Sequence, residues 1–156
     1  MVIHVTDREC LDIFADIYNS AILLFEENAR GAATADTFVS QIENDENYIE
    51  VQEDGNITAF MSYHRYGRHC ELTSLYIKRE FQRKGVGRKL LCNFEQLAGS
   101  EGIIFVKVLK NAPWSLNFYT KNGYMPVDDE MRKTAELLGI TEKPWSVVLC
   151  KDMAQR

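Results

Sequence analysis

The stretch Leu75-Tyr76-Ile77-Lys-Arg-Glu-Phe-Gln82-Arg83-Lys84-Gly85-Val86-Gly87-Arg88 sets two glycines, ringed by cations, between an apolar strand and an amphipathic helix. Glycine has no Cβ, so the backbone at Gly85 and Gly87 can approach a ligand closely, and the first N–H groups of a helix have no carbonyl of their own to bond. Such a turn attracts anions, and a phosphate is its natural occupant. The spacing narrows the class of phosphate. A P-loop needs Gly-x4-Gly-Lys-Ser/Thr and a dinucleotide turn needs Gly-x-Gly-x-x-Gly; what stands here is Gln82-x-x-Gly85-x-Gly87. Lys78, Arg79, Arg83, Lys84, Arg88 and Lys89 gather at the turn, although the chain as a whole carries a formal charge of −5. A local basic cluster in an acidic chain suits a small polyphosphate and argues against a nucleic-acid partner.

Farther along comes Lys110-Asn111-Ala-Pro-Trp-Ser-Leu-Asn117-Phe118-Tyr119-Thr-Lys-Asn-Gly123-Tyr124, an Asn at the end of an apolar run followed by a short helix that carries an aromatic pair. In this order the two segments resemble the GNAT superfamily of acyl-CoA-dependent N-acyltransferases. The glycine turn is similar to the pyrophosphate motif of that family. The later segment is similar to its downstream signature, Asn/Ala-x-Phe-Tyr-x-x-x-Gly-Phe/Tyr. The resemblance extends over nearly the whole chain and implies an N-acetyltransferase that moves an acetyl group from acetyl-CoA to a primary amine of a small molecule or protein, by direct attack in a ternary complex. The alternative reading is a CoA-binding sensor or regulatory module of the same fold without turnover.

The resemblance also implies roles. Leu75, Tyr76 and Ile77 would offer backbone groups to the pantetheine arm, and Gln82, Arg83, Lys84, Gly85, Val86, Gly87 and Arg88 would hold the pyrophosphate. Asn111 and Asn117 would fix CoA or the acyl carbonyl, with capping and turn hydrogen bonds as the alternative. Tyr119 is the candidate acid for the departing thiolate: a phenol of pKa about 10 stays protonated at neutral pH and can donate to sulfur. Glu71 is the candidate base for the amine proton, and pairing with Lys107 on a neighbouring strand is the alternative. One departure is Arg83, which stands where the family often has Gly. The acceptor stays open among polyamine, aminoglycoside, amino acid and protein amino group; Glu26, Glu27, Asp128, Asp129 and Glu130 either draw in a cationic amine or are solvated surface.

These residues need elements to position them. Val2–Val5 reads as a strand, and a repeat of period near 3.6 from Leu11 to Phe25 predicts a helix ending near Asn28. Thr34 or Asp36 can start a second helix carrying Phe38, Val39 and Ile42. Asp54-Gly55 signals a hairpin between Tyr48–Glu53 and Ile57–Tyr66. Cys70–Ile77 reads as the central strand, Val86 to about Ala98 as a helix, and Ile103–Leu109 as a strand buried on both faces. Trp114–Lys121 is a short helix, Tyr124–Val127 a strand, and Trp145–Cys150 a terminal strand, with an additional helix within Asp128–Ile140. The order β-α-α-β-β-β-α-β-α-β-β predicts an α+β fold: a mixed, mostly antiparallel sheet flanked by helices.

A chain of 156 residues fits one domain spanning 1–156, burying about 70% of its unfolded surface. No apolar run approaches the ~20 residues of a membrane span, and the amino terminus does not read as a signal peptide; the expectation is a cytoplasmic protein with no membrane partner. Cys10, Cys70, Cys92 and Cys150 lie in apolar or periodic stretches and are expected to be reduced core thiols. With His4, His64 and His69 they lack zinc-ligand spacing, so no metal is expected. A homodimer through exposed edge strands is open.

Overall fold

The computed structural model describes residues 2–5, 11–22, 47–53 and 55–155, with side chains at 13–19 and 55–155. The predicted second helix after Thr34 lies outside the described residues. Two compact units are present, Met1–His64 with Ser74–Glu95, and Arg65–Thr73 with Gln96–Arg156.

In the first unit, β1 (Val2–Val5), β2 (Asn47–Glu53) and β3 (Asn56–Tyr66) pair antiparallel in sequence order, and the C-terminal half of β4 (His69–Ile77) follows β3. Gly55, at φ +79°, supplies the positive φ that the hairpin turn demands. β3 is buried continuously from Thr58 to Tyr63. On it packs α1 (Leu11–Ile22), whose Phe14 stacks on Phe60 at 4.5 Å while Tyr18 meets Tyr76 edge-on at 4.8 Å.

The helix α2 (Val86–Ala98) buries Val86, Leu90, Leu91, Phe94 and Ala98, the four-residue recurrence of a one-faced helix. Cys92 corrects the expectation of four core thiols. It is free and exposed, because one step past Leu91 turns it about 100° off the apolar stripe. Cys70 and Cys150 are free and buried as expected.

The second unit orders its strands β4, β5 (Ile103–Leu109), β7 (Ser146–Asp152), β6 (Met125–Pro126), with α3 (Pro113–Lys121) and α4 (Asp129–Leu137) between them. β4 and β5 run parallel over Cys70–Leu72 against Ile104–Val106, whereas β5 with β7 and β6 with β7 are antiparallel. The fold is thus α+β with a mostly antiparallel sheet. Ile104, Phe105, Val106 and Val108 are buried, so β5 is covered on both faces except at exposed Lys107. Phe105 packs with Val127, Ala135, Ile140, Val148 and Cys150.

β6 is shorter than the Tyr124–Val127 expected. The Tyr124 N–H is spent on closing α3, through a 3.0 Å bond to the Tyr119 carbonyl, and Pro126 has no N–H to give a ladder. A helix within 128–140 is present as α4: Asp128 caps it, its Oδ1 accepting from Met131 N at 2.7 Å, and Asp129 and Glu130 complement the dipole of its first turn. Those three acidic residues, read from sequence as amine attractors or surface, therefore have a helix-starting role.

β4 begins and β5 begins side by side through one histidine. His69 Nδ1 accepts the Ile103 N–H at 3.0 Å, which leaves the imidazole proton on Nε2. Burial, then the Arg68 charge, push the His69 pKa below 6.5, with Asp152 acting the other way. Above pH 6.5 both folded and unfolded chains carry neutral His69 and the bond contributes fully. As pH falls below 6.5 the unfolded chain takes up the proton first, so stability drops. A urea midpoint that declines from pH 7.5 to 5 in the wild type, and declines less in His69→Gln, is the expected result.

Candidate functional site

The glycine turn belongs to the first unit. β4 leads into a 3-10 turn, Arg79–Phe81, pinned where Lys78 N donates to the Thr58 carbonyl at 2.8 Å. Gln82 is extended, and its Nε2 donates to the Ile77 carbonyl at 3.0 Å, so the side chain ties the loop back to the strand end. Arg83 then takes φ +62° and Gly85 φ +80°. The left-handed conformation costs a side-chain-bearing residue about 1–2 kcal/mol. A glycine, the residue the family resemblance suggests at position 83, would adopt it freely.

Gly85 is the N-cap of α2, its carbonyl accepting from Lys89 N at 3.1 Å. Gly85 has no side-chain oxygen of its own to offer the first-turn amides, and that turn contains no acidic residue. The N–H groups of Val86, Gly87 and Arg88 are the ones such a helix start offers to an anion. A Cβ built on Gly85 would meet nothing within 4 Å, so the glycine answers to backbone conformation and not to crowding. Arg83, Lys84, Arg88 and Lys89 are exposed around it, with Lys84 Nζ 5.6 Å over the Phe81 ring. Leu75, Tyr76 and Ile77 are half-buried, the Tyr76 ring turned onto Tyr18 and Phe60.

The other sequence-predicted residues fall in the second unit. Glu71 is half-buried on β4 and stands opposite Phe105 in the parallel register, two positions from Lys107. Asn111 is exposed at the end of β5. The N-cap of α3 is Ala112, with no side-chain cap bond, so Asn111 does not cap the helix. Asn117 is exposed on α3, and Tyr119, only 5% exposed, lies in its last turn. The Tyr119 ring meets Phe118 at 5.1 Å and Tyr124 at 5.5 Å, both edge-on. Asn122 N and Tyr124 N both donate to the Tyr119 carbonyl at 3.0 Å, and Gly123 at φ +92° turns the chain away.

Two cations missed in the sequence brace helix ends. Arg65 donates to the Leu97 carbonyl at 2.7 Å and the Ala98 carbonyl at 3.4 Å, closing the negative end of α2. Lys151 Nζ donates to the Asn122 carbonyl at 3.0 Å at the end of α3. Neither carried a local signal, because each sits some thirty positions from its partner.

The buried thiols are unsuited to nucleophilic work. Burial, then Asp128 and Asp152, push Cys150 up to about 11, and burial raises Cys70 against the opposing Arg65 charge. At neutral pH both remain protonated, and only a thiolate attacks a thioester efficiently. Among the described residues no group of three His, Cys, Asp or Glu side chains is placed to hold a metal, and no helix is long and apolar enough to cross a membrane.

Residues 11–124 match the model of the acetyltransferase (GNAT) family. No curated protein matches the chain in sequence. Among solved structures, the chain is similar to the PaiA N-acetyltransferase of Thermoplasma acidophilum in complex with coenzyme A, at 15% identity and TM-score 0.74 over 97% of this chain and 99% of that one. It is similar to YncA of Salmonella typhimurium with its cofactor acetyl-CoA, at 17% identity and TM-score 0.68 over 100% and 95%. It is also similar to the ribosomal-protein-alanine N-acetyltransferase of Brucella melitensis, at 16% identity and TM-score 0.69 over 97% and 99%. At these identities the likeness is one of fold.

Proposed function

This chain belongs to the acetyltransferase (GNAT) family, and we propose that it transfers an acetyl group from acetyl-CoA to a primary amine of a small molecule or protein in the cytoplasm. The observation that carries this reading is the glycine-opened start of α2: Gly85 at φ +80°, no acidic residue in the first turn, and Arg83, Lys84 and Arg88 exposed around it. Donor groups of this kind fit a diphosphate. Val86, Gly87 and Arg88 would give it their N–H groups and Arg83, Lys84 and Arg88 their charge, while Gln82 holds the loop in shape. Leu75, Tyr76 and Ile77 would offer backbone groups to the pantetheine arm, and Asn111 and Asn117 polar contacts to CoA or the acyl carbonyl.

In the reaction, the neutral amine nitrogen attacks the thioester carbonyl carbon and a C–N bond forms as the carbonyl pair moves to oxygen. Collapse breaks the C–S bond. Tyr119 donates its phenolic proton to the leaving sulfur, and the amine proton passes to Glu71, directly or through water, and then to solvent, from which Tyr119 is reprotonated. The products are an amide and CoA thiol. The high pKa values of Cys70 and Cys150 favour direct attack over an acyl-cysteine route through either residue.

Acetyl-CoA at about 100 times its Kd should stabilise the folded chain by about 2.7 kcal/mol, a Tm rise of about 8 °C. Gly85→Val, which puts a β-branched side chain at positive φ in the cradle, should lose most of that rise. No rise with the wild type would overturn the reading. The burial of Tyr119 favours a second reading, a CoA-binding module without turnover. Free-thiol release over a panel of amines separates the two.

A further inference from the structure

We propose that Lys151 is a positioning residue for Tyr119, holding the last turn of α3 by the Asn122 carbonyl and bearing on the Tyr124 ring; this rests on the assignment of Tyr119 as the acid. α3 has only nine residues and no side-chain cap at its start. A helix so short does not hold itself in water, and its orientation is imposed by what it touches. In its last turn the Tyr119 carbonyl is taken by Asn122 N and Tyr124 N, and the next carbonyl in need of a donor is that of Asn122.

Lys151 meets this turn in two ways. Its Nζ donates to the Asn122 carbonyl at 3.0 Å, placing a full positive charge at the negative end of the helix. The same Nζ lies 5.6 Å over the Tyr124 ring, which is 2% exposed and meets the Tyr119 ring at 5.5 Å and 69°. The lysine thus touches both the backbone of the turn and the aromatic wall against which Tyr119 rests. The stem also runs past Gly123, where a Cβ would meet Lys151 Cε at an ordinary 3.4 Å, so that glycine answers to its φ of +92° and not to the lysine.

The base of the side chain is fixed as well. Lys151 pairs with Ile104 in the β5–β7 ladder, and β7 is flanked by strands on both sides. Open space lies beside it, in a surface cavity that it lines with Gly123, Met125, Met131, Cys150 and Asp152. The side chain is therefore not confined to its pose by crowding. The carbonyl and the ring are two of the contacts that hold it there.

The test is made on the full chain with 3-fluorotyrosine at position 119, read by fluorine NMR with CoA present, in the wild type, Lys151→Met and Lys151→Arg. Met keeps the apolar stem and removes the donor and charge; Arg restores both. The resonance should shift and broaden in Lys151→Met and return near its wild-type position in Lys151→Arg. In parallel, thiol release from acetyl-CoA with concentrated n-butylamine as a bare primary amine should lose about tenfold in kcat in Lys151→Met, with KM for acetyl-CoA held within about twofold, as a small misplacement of an acid predicts. If Lys151→Met does not fold by circular dichroism, Lys151→Gln carries the same measurements.

An unmoved resonance in the folded variant, a KM for acetyl-CoA rising in step with the fall in kcat, or an Arg variant no better than Met would each overturn the proposal. Tyr119→Phe separates the two layers. Undiminished thiol release in that variant overturns the acid assignment alone, while the fluorine spectrum still judges whether Lys151 places the ring.

Discussion

Tyr119→Phe is expected to lower kcat for thiol release from acetyl-CoA by about 10²-fold or more, the range in which a positioned general acid contributes, while KM for acetyl-CoA stays within about twofold. The substitution keeps the ring that packs edge-on against Phe118 and Tyr124 and removes only the hydroxyl. A ring that served packing alone would therefore leave turnover unchanged. A thiolate leaves more readily when a donor supplies its proton, and the hydroxyl is the group that the substitution takes away. The pH profile adds a check on its partner. If Glu71 takes the amine proton, the acidic limb of the rate profile should flatten in Glu71→Gln; a limb unaltered in that variant returns Glu71 to a structural role beside Phe105.

Gly102→Ala should cost about 3 kcal/mol, the upper part of the usual range for forcing an atom into a packed interior, or about 10 °C in Tm. A Cβ on Gly102 would overlap the Arg68 carbonyl oxygen, and both partners are backbone, with no flexible side chain to swing aside. Local relief is restrained on each side. The Gly102 carbonyl accepts from Met153 N at 2.9 Å, and the next residue, Ile103, donates to His69 Nδ1 at 3.0 Å. Unlike Gly85, this glycine is required for space and not for φ. Thermal unfolding of the two alanine variants should separate the roles. Gly85→Ala keeps its Tm closer to wild type and loses CoA affinity, whereas Gly102→Ala loses Tm. An unchanged Tm in Gly102→Ala would show that the β4 and β5 starts can part without loss.

The order of the described elements and the glycine-bearing turn between β4 and α2 were legible in the chain because both depend on neighbours within a few residues. Apolar periodicity marks α2 through Leu90, Leu91 and Phe94; an almost unbroken apolar run marks β5; and glycines between a strand and a helix mark the turn whatever lies elsewhere. The Phe118-Tyr119 pair and Gly123 likewise state a short helix and its stop. Cys92 shows the limit: helical period predicts that some positions face out, but which ones do is settled by the surface the helix lands on.

What only the tertiary structure decided are contacts between residues distant in sequence. That Arg83 takes φ +62° with Gln82 bonded to the Ile77 carbonyl follows from how the loop closes on its own strand. That Gly102 abuts Arg68, that His69 accepts from Ile103, and that Lys151 reaches the end of α3 follow from strand pairing across some thirty residues or more. Local propensity carries no information about which carbonyl a lysine will find. That choice is made when the sheet brings two distant segments together, as it does where Lys151 Nζ comes within 3.0 Å of the Asn122 carbonyl.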